Sequence, residues 1–241
     1  MNACMYVINV FFVSLFRSDY QSSAVQFSSS VTASTSLTHP PFVSPDRLTE
    51  TLQMLASLFS PLPLSLQSSY ICPTVSRAIL FFTTHTSLRR SLNSLALLPS
   101  ISSFELSISS FLEPSGQNQK VREALAELKS LKRLLDHDIL RGTVDGSYAA
   151  LVENSWYSEL RRVTVCHYIL TLCGDMMSLP HHLADSSLAT YIGRCEVGGE
   201  DVAREGIERC IEEWRRRGGG GPGGGGDADK VGLLERILKE T

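Results

Sequence analysis

No lysine occurs before Lys120 in this 241-residue chain. Residues 1–115 hold five arginines (Arg17, Arg47, Arg77, Arg89, Arg90) and five acids (Asp19, Asp46, Glu50, Glu105, Glu113), so 17 of the 22 basic and 20 of the 25 acidic residues lie beyond them. A folded surface is ordinarily solvated by interspersed charge, about a quarter of all residues. The part of the chain after residue 117 meets that condition and reads as a helical protein. The part before it is rich in serine, leucine and phenylalanine and must solvate itself with hydroxyl groups. The division predicts an irregular or targeting segment at 1–44, Ser/Leu-rich short helices at 45–115, and a helical domain at 116–217. A Gly-rich linker at 218–226 and an amphipathic C-terminal helix at 227–241 follow.

Within the charge-poor part, Ser28-Ser29-Ser30, His39-Pro40-Pro41 and Ser44-Pro45 break regular structure. A first helix is expected from Ser44 or Asp46, with Pro45 in its first turn, Leu48, Leu52, Leu55, Leu58 and Phe59 at helical spacing, and Pro61 and Pro63 ending it. Apolar segments follow at Val75–Phe82 and at Ser87–Leu98, the latter stopped by Pro99. The run Ile101–Leu112 alternates in part (Ile101, Phe104, Leu106, Ile108), so a strand competes with a helix there.

Helical periodicity is clearest from Gln119 to Arg141. Val121, Leu125, Leu128, Leu131, Leu135 and Ile139 form one stripe, widened by Ala124 and Leu134. Glu123 and Glu127 come early and Lys129, Lys132 and Arg133 later, which matches the helix dipole. Gly142 follows as a left-handed terminator. Ser147–Asn154 reads as helical, and Ser158–Cys173 is apolar on more than one face, as a central helix would be. Further helices are expected at Ala184–Gly193 and Glu200–Arg217, the second with Val202, Ile207, Ile211 and Trp214 inward and with Gly206 weakening it by about 1 kcal/mol relative to alanine. The fold class is therefore mostly α, an irregular multi-helix array or bundle with a low-complexity N-terminal region and a Gly-rich tether. Its alternation of apolar helices and prolines resembles the general layout of an armadillo- or HEAT-like stack, although no self-similarity recurs at about 40–47 residues.

The chemistry-bearing residues form no motif. Cys4, Cys72, Cys166, Cys173, Cys195 and Cys210 show no CxxC pair, and buried free thiols in a reducing compartment account for them. Cys166 and Cys173 share a helix face with His167 nearby and His181-His182 beyond. Seven helical residues separate the two sulfurs by about 10 Å, too far for one zinc ion. A Cys–His nucleophile pair could be built in space from Cys166, Cys195 or Cys210 with His167 or His181, but a chain with six cysteines and six histidines offers such pairs by composition alone. Tyr148, Trp156, Tyr157, Tyr168, Tyr191 and Trp214 suit an aromatic binding surface and a core equally well. Gly218–Gly226 lacks the GK[ST] of a phosphate loop and reads as a tether. No catalytic, cofactor-binding or metal residue is assigned, and no cofactor is expected.

Net charge is −3 with a pI near 6.1, so nucleic acid is not the expected partner. The dense basic clusters Arg161–Arg162 and Arg215–Arg217 are explained by solvated helix faces. Met5–Phe16 is an apolar run too short to cross a bilayer as a helix. Membrane association is expected only through residues 1–16. The expected compartment is intracellular, cytoplasmic or nuclear, with organelle targeting or secretion as alternatives. The amphipathic helix after the tether is too short to be stable alone in water, so it should dock on its own chain or on a partner. Val231, Leu234, Ile237 and Leu238 form its docking face, and Asp229, Lys230, Glu235, Arg236 and Lys239 the solvated one. The leading functional expectation is a non-catalytic scaffold or adaptor that binds other proteins. The alternatives are an enzyme, or part of one, with a dispersed site, and an organelle- or membrane-associated protein addressed by its N-terminus.

Overall fold

The computed structural model describes residues 50–88 except 51, 55 and 58, together with 97–112, 118–136, 153, 155–173, 177–218 and 225–239. Of these, 87% are helical and none lies in a strand. The helices are α1 (Leu64–Ser87), α2 (Leu98–Leu112), α3 (Gln119–Asp136), α4 (Arg162–Leu172), α5 (Pro180–Leu183), α6 (Leu188–Arg216) and α7 (Gly225–Lys239), with a 3-10 turn at Ser155–Glu159 before α4. The readings at Met5–Phe16, Ile139, Gly142 and residues 147–152 lie outside the described residues.

Two compact units form, and neither is contiguous in sequence. The first gathers described residues from 50–79 and 97–125; the second gathers those from 80–88 and 126–239. The helices α1 and α3 contribute residues to both.

In the first unit Pro61 and Pro63 follow the end of the first helical segment as expected, whereas Pro73 and Pro99 do not act as stops. Pro73 lies inside α1, so Val75–Phe82 is the middle of a 24-residue helix and not a separate segment. Pro99 lies in the first turn of α2, where its missing N–H costs nothing because that donor has no intrahelical acceptor. The run after it is a helix. Ile101, Phe104, Ile108 and Leu112 are its buried residues, an i, i+3, i+7, i+11 stripe. Leu106, which lent the segment its alternating look, is 68% exposed on the opposite face. Asn118 caps α3: its Oδ1 accepts the N–H of Val121 at 3.0 Å. Ser76 donates to the Lys120 carbonyl at 3.1 Å, and the rings of Phe59 and Tyr70 stack 5.6 Å apart.

In the second unit α4 is the centre. Every residue from Val163 to Leu170 is buried, so this stretch has no solvated face, as its sequence predicted. Leu128, Leu131, Leu134 and Leu135 of α3 are buried as the stripe required, and Glu127 is buried among them. Its carboxylate accepts Arg161 Nε at 2.8 and 2.9 Å and the Thr164 hydroxyl at 2.6 Å. Arg161 Nη2 also reaches the Thr84 hydroxyl at 3.1 Å. The pair thus fastens the start of α4 to α3.

The α6 segment is two helices joined at a break. Gly199 has φ 71° and ψ −158°, a region open only to glycine. A Cβ on Gly198 would sit 2.2 Å from the Val202 side chain. The break falls here and not at Gly193, which is ordinary helix. Ser187 caps the first half, accepting the N–H of Thr190 at 3.1 Å. Gly218, at φ 83°, terminates the second.

Arg161→Met leaves the Glu127 carboxylate buried without its counter-ion and should lower stability by about 3 kcal/mol in urea denaturation. Arg161→Met combined with Glu127→Leu should recover most of that loss. A double variant as unstable as the single one would show that the pair does not carry the fastening.

Candidate functional site

The helix expected to dock does so within its own chain. The residues assigned to its docking face are covered: Val231 is 3% exposed, Leu234 fully buried and Ile237 1% exposed, while Leu238 is half-buried. Leu233, not assigned from the sequence, is fully buried as well. The signal for it was present, since Leu233 and Ile237 stand four residues apart on one face. The helix begins at Gly225, two residues earlier than expected, and packs along α4.

Polar anchors flank this apolar seam. Lys230 Nζ donates to the Leu172 carbonyl at 2.7 Å and pairs with Asp227 at 3.0 Å, placing a cation at the negative end of α4. Arg215 of α6 pairs with Glu235 of α7. Arg204 of α6 donates to the Leu238 carbonyl near the end of α7. Lys230 and Glu235, expected on the solvated face of α7, lie instead at its edge and set its register. The Arg215–Glu235 pair is largely exposed, and pairs of that kind contribute about 0–1 kcal/mol. Each buried aliphatic side chain contributes roughly 1.5–3 kcal/mol. The apolar face therefore supplies the affinity and the charges supply alignment. A cleft of about 190 Å³ opens beside the seam, bordered by Arg204, Glu208, Ile211, Arg215, Glu235 and Leu238. Small-molecule sites usually occupy roughly 300–1,000 Å³, so the cleft fits helix packing better than a metabolite.

The second notable cluster is buried and polar. His167 of α4 is fully buried, with Nε2 3.0 Å from the Tyr191 hydroxyl and its ring edge-on to the tyrosine. Among the described residues, its Nδ1 has no hydrogen-bond partner. Burial, then Arg161 and His181, lower the His167 pKa to about 3. Burial likewise pushes the Cys166 thiol up to about 12 and raises Cys195, partly offset by a hydrogen bond with Tyr191. An imidazole of such low basicity is a poor general base, and protonated thiols present no thiolate to a metal. Among the described residues, no group of three or more His, Cys, Asp or Glu side chains converges as a metal site requires. Tyr168, Tyr191 and Trp214, considered as a binding surface, are buried.

Tyr191 owes its position to Gly206. A Cβ there would stand 3.1 Å from the Tyr191 hydroxyl and 3.2 Å from Pro180. The glycine read as a weak point of the helix is thus the place where the two halves of α6 and α5 approach closely. The basic clusters are matched inside the chain. Arg216 and Arg217 both bind Glu213 at 2.7 Å, and the Arg216 hydrogen bond foremost holds that carboxyl down to about 2.

Two outcomes are expected. Unfolded histidine takes up a proton near pH 6.5 whereas His167 in the folded chain resists it to about pH 3, so stability falls as pH drops below 6.5. The His167 share of the loss between pH 7 and 5 should be about 2 kcal/mol. His167→Gln should remove that share, read as the difference in urea midpoints at the two pH values; equal slopes for both proteins would refute a buried neutral histidine. Gly206→Ala should lower stability by about 1 kcal/mol despite better helix propensity, because crowding at Tyr191 outweighs it. Among the described residues, no helix is long and apolar enough to cross a membrane. Compared with protein-family models, curated proteins and solved structures, the chain matches none.

Proposed function

We propose that this chain is a non-catalytic helical scaffold or adaptor, and that it engages other proteins through α7 and the surface on which α7 lies. The observation that carries the reading is the construction of that contact. A 15-residue helix follows a stretch from 218 to 224 made of six glycines and one proline. That composition is typical of flexible tethers. The helix is held by a broad apolar face, Val231, Leu233, Leu234 and Ile237, and by polar anchors at its edges. Its anchors stand at i, i+2, i+3 and i+6, a variant of the i, i+3, i+4, i+7 spacing by which amphipathic helices are recognised in grooves. The remaining helices, an irregular array in the manner of armadillo- or HEAT-like layouts, would serve as the support. The chemistry around His167, Cys166 and Cys195 is that of an uncharged core, which favours binding over turnover.

Affinity capture with cross-linking tests the reading. The full chain and a chain lacking 218–241, each shown by circular dichroism to be folded, should recover different sets of partner proteins. Identical sets would remove α7 and its surface from the function.

A further inference from the structure

The groove that holds α7 is chemically specific, and its occupant is poorly optimised. From α4 it offers the Leu172 carbonyl, which takes a cation. From α6 it offers Arg215, which takes a carboxylate, and Arg204, which takes a helix-terminal carbonyl. Val231, Leu233, Leu234 and Ile237 of α7 are buried, and the helix packs along α4. Along its occupant, the groove accepts a cation at one position, apolar side chains one, three, four and seven residues later, and a carboxylate five residues later. Lys230, Val231, Leu233, Leu234, Ile237 and Glu235 fill those places.

The occupant itself carries Gly232 in the middle of its helix. A Cβ there would meet nothing within 4 Å, so no close approach requires glycine. Its presence weakens α7 by about 1 kcal/mol relative to alanine. A helix with the same contacts and an ordinary residue at that position would bind about fivefold better. What compensates α7 is its tether. A short flexible linker presents a segment at an effective concentration of order millimolar, so even a weak helix occupies the groove most of the time.

We propose that the α4–α6 groove is a receptor for an amphipathic helix of this pattern supplied by another protein, and that α7 is its tethered in-chain competitor. The proposal rests on the scaffold reading above and names the class of partner. The weak helix and the tether then set a threshold: a partner helix displaces α7 when its own groove affinity, multiplied by its concentration, exceeds what the tether provides.

The test uses a fluorescent peptide of residues 225–241 carrying Gly232→Ala, with anisotropy as the readout, against three full-length chains. The Leu234→Asp chain places a charge in the seam and evicts α7. It should bind the peptide at least tenfold tighter than the unsubstituted chain. The Gly232→Ala chain has a strengthened competitor and should bind about fivefold more weakly than the unsubstituted chain. A peptide that also carries Leu234→Asp should bind none of them, and one with Glu235→Lys should bind less well than the parent peptide. Equal affinity for all three chains, or no binding to any folded chain, would overturn the proposal. Should Leu234→Asp fail to fold by circular dichroism, the comparison of the other two chains decides alone. Peptide binding alongside unchanged partner sets on removal of 218–241 would keep the groove and discard the scaffold. The converse result would keep the scaffold and discard displacement.

Discussion

A helix buried on every side must have both of its ends satisfied by other parts of the chain. That constraint organises the second unit. From Val163 to Leu170, α4 has no solvated residue, so its terminal carbonyls and the charge that precedes it cannot all be left to water. At the beginning Arg161 makes no side-chain cap to the helix; it and Thr164 are instead fixed to the Glu127 carboxylate of α3. The end is served by Lys230 of α7, 58 residues further along the chain. The two solutions differ in kind. The first brings a carboxylate into the core with a guanidinium and a hydroxyl to satisfy it, an arrangement that is costly to break. The second is a single ammonium on a long stem, delivered by a helix that follows a glycine tract. Only one end of the central helix depends on a tethered element.

The same burial that makes α4 central makes its side chains chemically quiet. Cysteine and histidine adjacent in sequence suggest a nucleophile or a ligand set. Low dielectric, however, disfavours the charged form of each, which raises the Cys166 thiol and lowers the His167 imidazolium. The one polar contact His167 makes is set by geometry. Tyr191 reaches it only because Gly206 leaves room for the tyrosine ring. The ring in turn lies where it does because Gly198 and Gly199 fold α6 back on itself. Three glycines on one segment thus perform two separate tasks, a backbone turn and a close approach.

Much of this was legible in the sequence where burial follows the helical period. The stripe of α3 and the all-round apolarity of α4 were readable because a single periodicity decides them. Pro61 and Pro63 were readable as stops, but Pro99 was not, since a proline's effect depends on position: in a first turn Pro99 removes nothing, whereas in mid-helix it would remove a hydrogen bond. The alternation in α2 misled because one exposed residue, Leu106, stood where a strand pattern needed it. Gly206 and Glu127 were misjudged for a common reason. Each looked ordinary within its own helix, a weak point and an acid in the N-terminal half, and each is explained by a residue far away in sequence. The composition change near residue 117 likewise records which stretches carry charge. It carries no information about which helices share a core, and that is set by contacts between residues as far apart as 84 and 161.

The groove of α7 shows how charge and apolar area divide their roles. The chain directs its arginines to its own carboxylates, Arg216 and Arg217 to Glu213 and Arg215 to Glu235, so its basic clusters are locally neutralised. What α4 and α6 offer an incoming segment is mainly area, with charge fixing alignment. Affinity built on area and register built on three polar anchors suit a helix that must be recognised yet released. Loss of the seam's water-excluded contacts costs several kcal/mol, while each anchor can re-form in water at little cost. The occupant combines a helix-weakening Gly232 with a preceding stretch of six glycines and one proline, so its contacts are not at their strongest. That distinguishes α7 from α3, which is fastened to the start of α4 through a buried carboxylate.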